Sequence, residues 1–246
     1  MKFSLELTKQ SMKINYFGIV AAGGEGTRVG AQISKQYIQI LGRSLLEISI
    51  ETLTNSISFS KIAVVIPARD KERCQRLEKK FEKVELVPGG ATRCESVLQG
   101  LKFLKPIAKD NDWCLVHDAA RPCLQKKDLL KLIHDLDGSK TGGILGAPVV
   151  DTIKKIDKHN RIDCTVDRTN LWRAFTPQMF RYGVLLDSLL SIKKAGIVVS
   201  DESQALERLG KPVLVVQSSS ENIKVTFPED VRKAEIFFMQ RENKGN

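Results

Sequence analysis

From Tyr16 onward, short apolar runs alternate with amphipathic stretches of ten to fifteen residues. Tyr16 to Ala22 and Lys61 to Pro67 (KIAVVIP) are continuous apolar runs that read as buried strands, and Val84 to Val87, Trp113 to Val116, Gly142 to Val150 and Lys211 to Gln217 read the same way. Between them, Ser44 to Thr54 puts Leu45, Ile48 and Thr52 on one helical face, with Leu46, Ile50 and Leu53 beside it. Further helices are predicted over Asp70 to Phe81, around Ser96, Val97, Gly100 and Leu101, over Gln125 to Leu136, and over Tyr182 to Ala195. Ser200-Asp201-Glu202-Ser203 reads as a polar helix cap, and Pro228 opens a closing helix. This alternation predicts an α/β fold with a doubly wound, mostly parallel sheet, whose ligands lie beyond the carboxyl ends of the strands. The pattern breaks between Asp151 and Asp167, where two short alternating segments flank Asp157-Lys158-His159-Asn160 and predict a β-hairpin. A hairpin standing off such a core cannot bury its own faces, so residues 149–173 are expected to form a dimerisation arm. Residues 16–240 then read as one domain, with residues 1–15 a short N-terminal extension.

Charge narrows the partners. Of 246 residues, 39 are Lys or Arg and 29 Asp or Glu, a net charge of +10 that favours anionic ligands. The basic residues are scattered and aromatics make up only 6%, which argues against a nucleic-acid surface and for a small phosphorylated substrate. No apolar span is long enough for a membrane, and the first fifteen residues lack the apolar segment of a secretory signal. The five cysteines show no CxxC and no metal-ligand spacing, so reduced thiols and a cytoplasmic location are expected.

The chemistry concentrates where the first strand ends. Ala22-Gly23-Gly24-Glu25-Gly26-Thr27-Arg28 is followed seven residues later by Lys35, in Ser34-Lys35-Gln36-Tyr37. Glycines let the backbone approach a bulky anion and turn N–H groups toward it, and the two cations add fixed charge, so the segment reads as a phosphate site. It is neither a P-loop, which needs Gly-Lys followed by Ser or Thr, nor a dinucleotide fingerprint, which needs glycine where Val29 stands. After the third strand, Gly89-Gly90-Ala91-Thr92-Arg93 leads into the helix carrying Ser96, giving room to read a flat base, although a plain helix-start turn explains the glycines equally well. The fourth strand ends in His117-Asp118-Ala119-Ala120-Arg121-Pro122. There Asp118 could orient a magnesium–triphosphate complex, or could form an ion pair with Arg121 that closes the loop. His117 reads as a packing histidine, since no ligand partner lies at metal spacing.

Four segments in order, AGGEGTR with SKQY, GGATRCESVLQGL, VHDAARP, and DTIKK through VDRTNLWRAFTPQMF with the later SDE and ENIKVTFPEDV, resemble the 2-C-methyl-D-erythritol 4-phosphate cytidylyltransferase family. The resemblance covers nearly the whole chain from Tyr16 to Glu235. It implies a Rossmann-like nucleotidyltransferase that takes CTP, a polyol phosphate and Mg²⁺ and acts as a homodimer. It further implies that Arg28, Lys35 and Lys224 serve the triphosphate, and that Ala22, Gly23, Gly24, Gly90, Ala91, Ser96, Asp118 and Ala119 hold the nucleotide, with Asp118 also the candidate metal contact. Thr152, Arg168, Thr176 and Asp201 would hold the polyol phosphate, Thr152 and Arg168 from the neighbouring subunit's arm. This chain departs from the family pattern at Ser34, where proline is usual, and at Ala91, where an acidic residue is common. Ribitol-5-phosphate cytidylyltransferase is the nearest alternative by substrate, and a nucleotide-binding protein without turnover the alternative by class.

Overall fold

The computed structural model describes residues 14–23 and 34–242. Seven strands form one sheet in the order β11-β7-β10-β6-β1-β4-β5, where β1 is Tyr16–Ala21, β4 Lys61–Ile66, β5 Val84–Pro88, β6 Trp113–Asp118, β7 Gly142–Pro148, β10 Trp172–Arg181 and β11 Leu214–Gln217. All neighbours pair in parallel except β10, which runs antiparallel to both β6 and β7. Two further short strands, β2 (Gln39–Ile40) and β3 (Arg43–Ser44), make a tight hairpin just before α1 (Leu45–Ser56).

Both faces of the sheet are buried, and the alternation of the strands divides them. Val20, Ile62, Val64, Ile66, Trp113 and Leu115 enter one core with α1, α2 (Lys71–Lys80) and α4 (Lys126–Asp135). Phe17, Ile19, Ala63, Val65, Cys114 and Val116 enter the other with α3 (Arg93–Leu104), α5 (Tyr182–Lys194) and α6 (Glu202–Glu207). Residues two apart share a face, so continuous apolar strands are what a two-sided sheet requires. A third, smaller cluster seats α7 (Pro228–Glu242) through Ala234 against Leu45, Ile48 and Cys123.

The expected strands and helices are present, with bounds shifted by a few residues at the ends of β7 and β11. The expected hairpin is also present: β8 (Ile153–Ile156) pairs antiparallel with β9 (Ile162–Val166), and Asn160 in its turn has φ +60°. Its residues are almost all exposed. Sequence periodicity did not mark β10, the ten-residue strand that returns the chain from the arm into the sheet.

Candidate active site

The order of the sheet reverses beside β1. The chain runs from β1 out to β4 and β5 and then comes back to β6 on the other side of β1, which opens a crevice at the carboxyl ends. A cavity of about 420 Å³ lies there. Its walls are Ala22 and Gly23 after β1, Pro67 and Arg69 after β4, Gly89 to Arg93 with Ser96 after β5, Ala119 and Ala120 after β6, and also Lys35, Gln36, Asp118 and Lys224. Backbone bonds pin the rim: Ala22 N–H donates to Val65 C=O at 2.8 Å, Ala119 N–H to Ala21 C=O at 3.1 Å, and Gly89 N–H to Ile66 C=O at 2.8 Å.

The loop after β5 is shaped by its glycines. A Cβ at Gly90 would fall 2.4 Å from the Cβ of Glu95, and one at Gly89 would fall 3.0 Å from Ser96 Oγ, so the loop folds onto the first turn of α3 only with glycine at Gly90. Ser96 Oγ accepts from Gly90 N–H at 3.2 Å and is itself buried. Thr92 caps the helix by accepting from Glu95 N–H, while the Glu95 carboxylate takes the N–H of Ala91. Ala91 therefore has its carbonyl, and not its N–H, left to meet a ligand.

Charge is concentrated on Asp118, at the last position of β6 and only 6% exposed. Lys224 Nζ lies 2.8 Å from one carboxylate oxygen, Arg93 reaches the other at 3.2 Å, and Arg121 Nε stands at 3.7 Å. Burial alone would raise the Asp118 carboxyl, but Arg93, Lys224 and Arg121 outweigh it and hold it well below the usual carboxylate range. Arg93 also binds Glu202, which is 1% exposed and whose second oxygen has no hydrogen-bond partner among the described residues. Burial pushes the Glu202 carboxyl up against the pull of Arg93. With Lys35 and Arg69 also on the wall, cations outnumber carboxylates around the cavity, as a polyanionic ligand requires.

Arg121 does close the loop as one sequence reading had it, pairing with Asp118 and donating to the carbonyls of Asn222 at 2.8 Å and Ala174 at 3.3 Å. His117 is fully buried behind Asp118. Its Nε2 faces the carbonyl of Arg121 at 3.1 Å and so carries the proton, which leaves Nδ1 to accept from the Thr176 hydroxyl at 2.9 Å. The Thr176 oxygen in turn accepts from Asp118 N–H at 3.1 Å. Burial pushes the His117 pKa down to about 4, so it is a neutral packing group near pH 7, as its sequence context suggested.

The structure brings together Ala22, Gly23, Lys35, Gly90, Ala91, Ser96, Asp118, Ala119 and Lys224, from five separate segments. Gly24 and Arg28 lie outside the described residues. Thr176 and Asp201 do not line the cavity: Thr176 is engaged by His117 and Asp118, and Asp201 caps α6 while accepting from Gln178 at 3.0 Å. Thr152 and Arg168 are exposed on the arm, and Arg168 donates to the carbonyl of Val150. Sequence reasoning left out Arg93 and Glu202. The signal for Arg93 was present, since an arginine in the first turn of a helix behind a glycine loop faces whatever that loop binds; Glu202 carried none, because a carboxylate beside a helix cap ordinarily faces water.

Among the described residues no three His, Cys, Asp or Glu side chains come together as a metal cage. Among the described residues Asp118 is the one carboxylate on the cavity wall, which suits Mg²⁺ arriving on a triphosphate with most of its own water, since that ion is commonly held by one or two carboxylates plus substrate phosphates. Five cysteines are free, and no helix among the described residues is long and apolar enough to cross a membrane.

A doubly wound sheet whose switch-point crevice carries Gly23, the Gly89-Gly90 loop and several cations gives the class: this is a nucleotidyltransferase. The profile of the 2-C-methyl-D-erythritol 4-phosphate cytidylyltransferase family matches residues 17–241, and the chain belongs to that family. It is 40% identical over 227 residues to the enzyme of that name from Hahella chejuensis, covering 91% of this chain and 94% of that one. It is 42% identical over 224 residues to the one from Vibrio vulnificus, with 91% and 94% covered. Among solved structures, a 4-diphosphocytidyl-2C-methyl-D-erythritol synthase superposes with a TM-score of 0.80 at 32% identity, covering 92% of this chain and 100% of that one. The cytidylyltransferase from Francisella tularensis superposes with 0.77 at 33% identity, covering 91% and 99%.

Proposed function

We propose that this chain transfers CMP from CTP to 2-C-methyl-D-erythritol 4-phosphate, giving the CDP-polyol and pyrophosphate in isoprenoid biosynthesis. The observation that carries this reading is the family match across residues 17–241, on a chain whose switch-point cavity is walled by backbone glycines and cations. An oxygen of the acceptor phosphate attacks the α-phosphorus of CTP in line, forming a P–O bond as the bond to the β-phosphate breaks and pyrophosphate leaves. A phosphate monoester is largely dianionic near neutral pH, its second pKa being about 6, so no side chain needs to remove a proton. The problem left to the protein is charge.

Lys35 and Arg28 supply fixed positive charge to the triphosphate and to the charge that develops on it, with Lys224, also on the cavity wall, adding an ammonium. Gly90 and Ser96 hold the base and ribose, and Ala22, Gly23, Gly24, Ala91 and Ala119 let the nucleotide lie close to the backbone. Asp118 would hold Mg²⁺, which neutralises phosphate charge when bound. The arm of residues 149–173 pairs with that of a second subunit, so that Thr152 and Arg168 reach the partner's polyol phosphate, and Thr176 and Asp201 stiffen the wall they meet. The active form is then a homodimer in the cytoplasm.

The reading is tested by offering CTP, ATP, GTP and UTP, each with methylerythritol phosphate or ribitol 5-phosphate, and measuring pyrophosphate release. Turnover is expected with CTP and methylerythritol phosphate. Preferential turnover of ribitol 5-phosphate would reassign the acceptor, and CTP binding with no release under any pairing would overturn the enzymatic reading.

A further inference from the structure

Glu202 is placed where a structural carboxylate is hard to account for. It is 1% exposed, and among the described residues one oxygen meets only Arg93 and the other has no hydrogen-bond partner. A buried carboxylate is retained against its desolvation when it is paired and its remaining lone pairs are satisfied; here half of it is not. What the residue does achieve is geometric. Arg93 gives Nη1 to Glu202 while Nε and Nη2 both face Asp118, so the guanidinium is clamped between two carboxylates that come from opposite sides, α6 and the end of β6. An arginine has a planar fork of donors, and fixing two edges fixes the plane. Arg93 lines the nucleotide cavity beside Ser96 and Asp118. Without Glu202, its long side chain would be free to swing toward the anionic nucleotide and leave Asp118 to Lys224 and Arg121 alone.

We propose that Glu202 is a positioning residue for the nucleotide half of the site: it sets the plane of Arg93, and through Arg93 the orientation of Asp118. The inference rests on the cytidylyltransferase reading above, and goes beyond it by assigning work to a side chain that touches no substrate. It also separates the two halves of the site. Arg93 and Asp118 line the nucleotide cavity, whereas Thr152 and Arg168 lie on the arm, and Thr176 and Asp201 adjoin the clamp without lining the cavity, so disturbing the clamp acts first on CTP.

The test is a double-mutant cycle between Glu202→Gln and Arg93→Met, read as kcat, as the KM of each substrate, and as the CTP dissociation constant by calorimetry. Glu202→Gln keeps size and hydrogen-bonding capacity while removing the charge that holds the guanidinium. It is expected to lower kcat/KM for CTP by about tenfold or more, with the KM for the polyol phosphate within about twofold of wild type. In the Arg93→Met background the same change is expected to have little further effect, because the group it positions is gone. Equal losses from Glu202→Gln in both backgrounds, or a rise in the KM of both substrates alike, would show general support of the wall and overturn the proposal. Arg93→Lys keeps the charge but has no fork to span two carboxylates, so it should weaken CTP handling even with Glu202 intact. Unchanged kcat/KM for CTP in Arg93→Lys would overturn the proposal even if Glu202→Gln fails to fold. Failure of the parent reading looks different: the wild-type protein itself would then release no pyrophosphate, while coupling between Glu202 and Arg93 would still appear in the CTP dissociation constant.

Discussion

Two buried titratable groups sit next to each other at the end of β6, and their environments drive them in different directions. Asp118 is ringed by three cations and keeps its charge, while His117 is fully buried, with Asp118 and Arg121 pulling it in opposite directions, and loses its own. Both shifts make the fold sensitive to acid, in separate windows. His117 falls from an ordinary value of 6.5 to about 4, so between those pH values the unfolded chain binds a proton that the folded chain does not. The neutral-histidine contribution is complete above about pH 6.5, declines as the pH drops, and levels off below about 4, amounting to something on the order of 3 kcal/mol. Asp118, whose folded value is depressed, stabilises the fold above its ordinary value of 3.8 and loses that contribution only at lower pH. Urea unfolding from pH 7 to pH 4 should therefore show stability falling steadily, and His117→Gln should remove most of that slope while leaving the steeper loss below pH 4. A variant that kept the wild-type slope would show that the titrating group is another one.

The elements show what a sequence discloses and what it conceals. Strands β1, β4 and β6 were legible because both of their faces are buried, which leaves an apolar run that little else produces. The arm was legible for the opposite reason, as alternating positions around a polar turn that interrupt the strand–helix rhythm. Strand β10 was hidden by Pro177, which cannot donate to a ladder and argues against a central strand. In the sheet, Pro177 falls inside the register shift between Ala174 and Gln178, where the pairing with β7 is interrupted and its missing N–H is not needed. At the cavity, Gly23, the Gly89-Gly90 loop and Lys35 stood out from local order, whereas Glu202 meets Arg93 across 109 residues of chain, a contact that only the tertiary fold creates. The arm carries its own prediction. If it completes the neighbour's site, inactive Arg28→Ala and Arg168→Ala subunits mixed under exchanging conditions should recover up to about a quarter of the wild-type rate, since each hybrid dimer holds one intact site. No recovery after verified exchange would restrict the arm to packing or to its own subunit.

At the scale of the whole molecule, the net charge of +10 and the cation-rich crevice act in the same direction. The overall field favours polyanions, and on the proposed reading the local cations hold them where negative charge grows in the transition state. Nothing in this arrangement calls for a general base: His117 is buried, neutral and committed to two hydrogen bonds, and Asp118 is held charged by its neighbours. On the proposed reading, catalysis is a matter of fixed positive charge, with Lys35 at its centre. The kcat of Lys35→Ala at saturating CTP and methylerythritol phosphate tests this most directly: a fall of about 10²–10³ relative to wild type is expected, and a kcat close to the wild-type value would contradict the account.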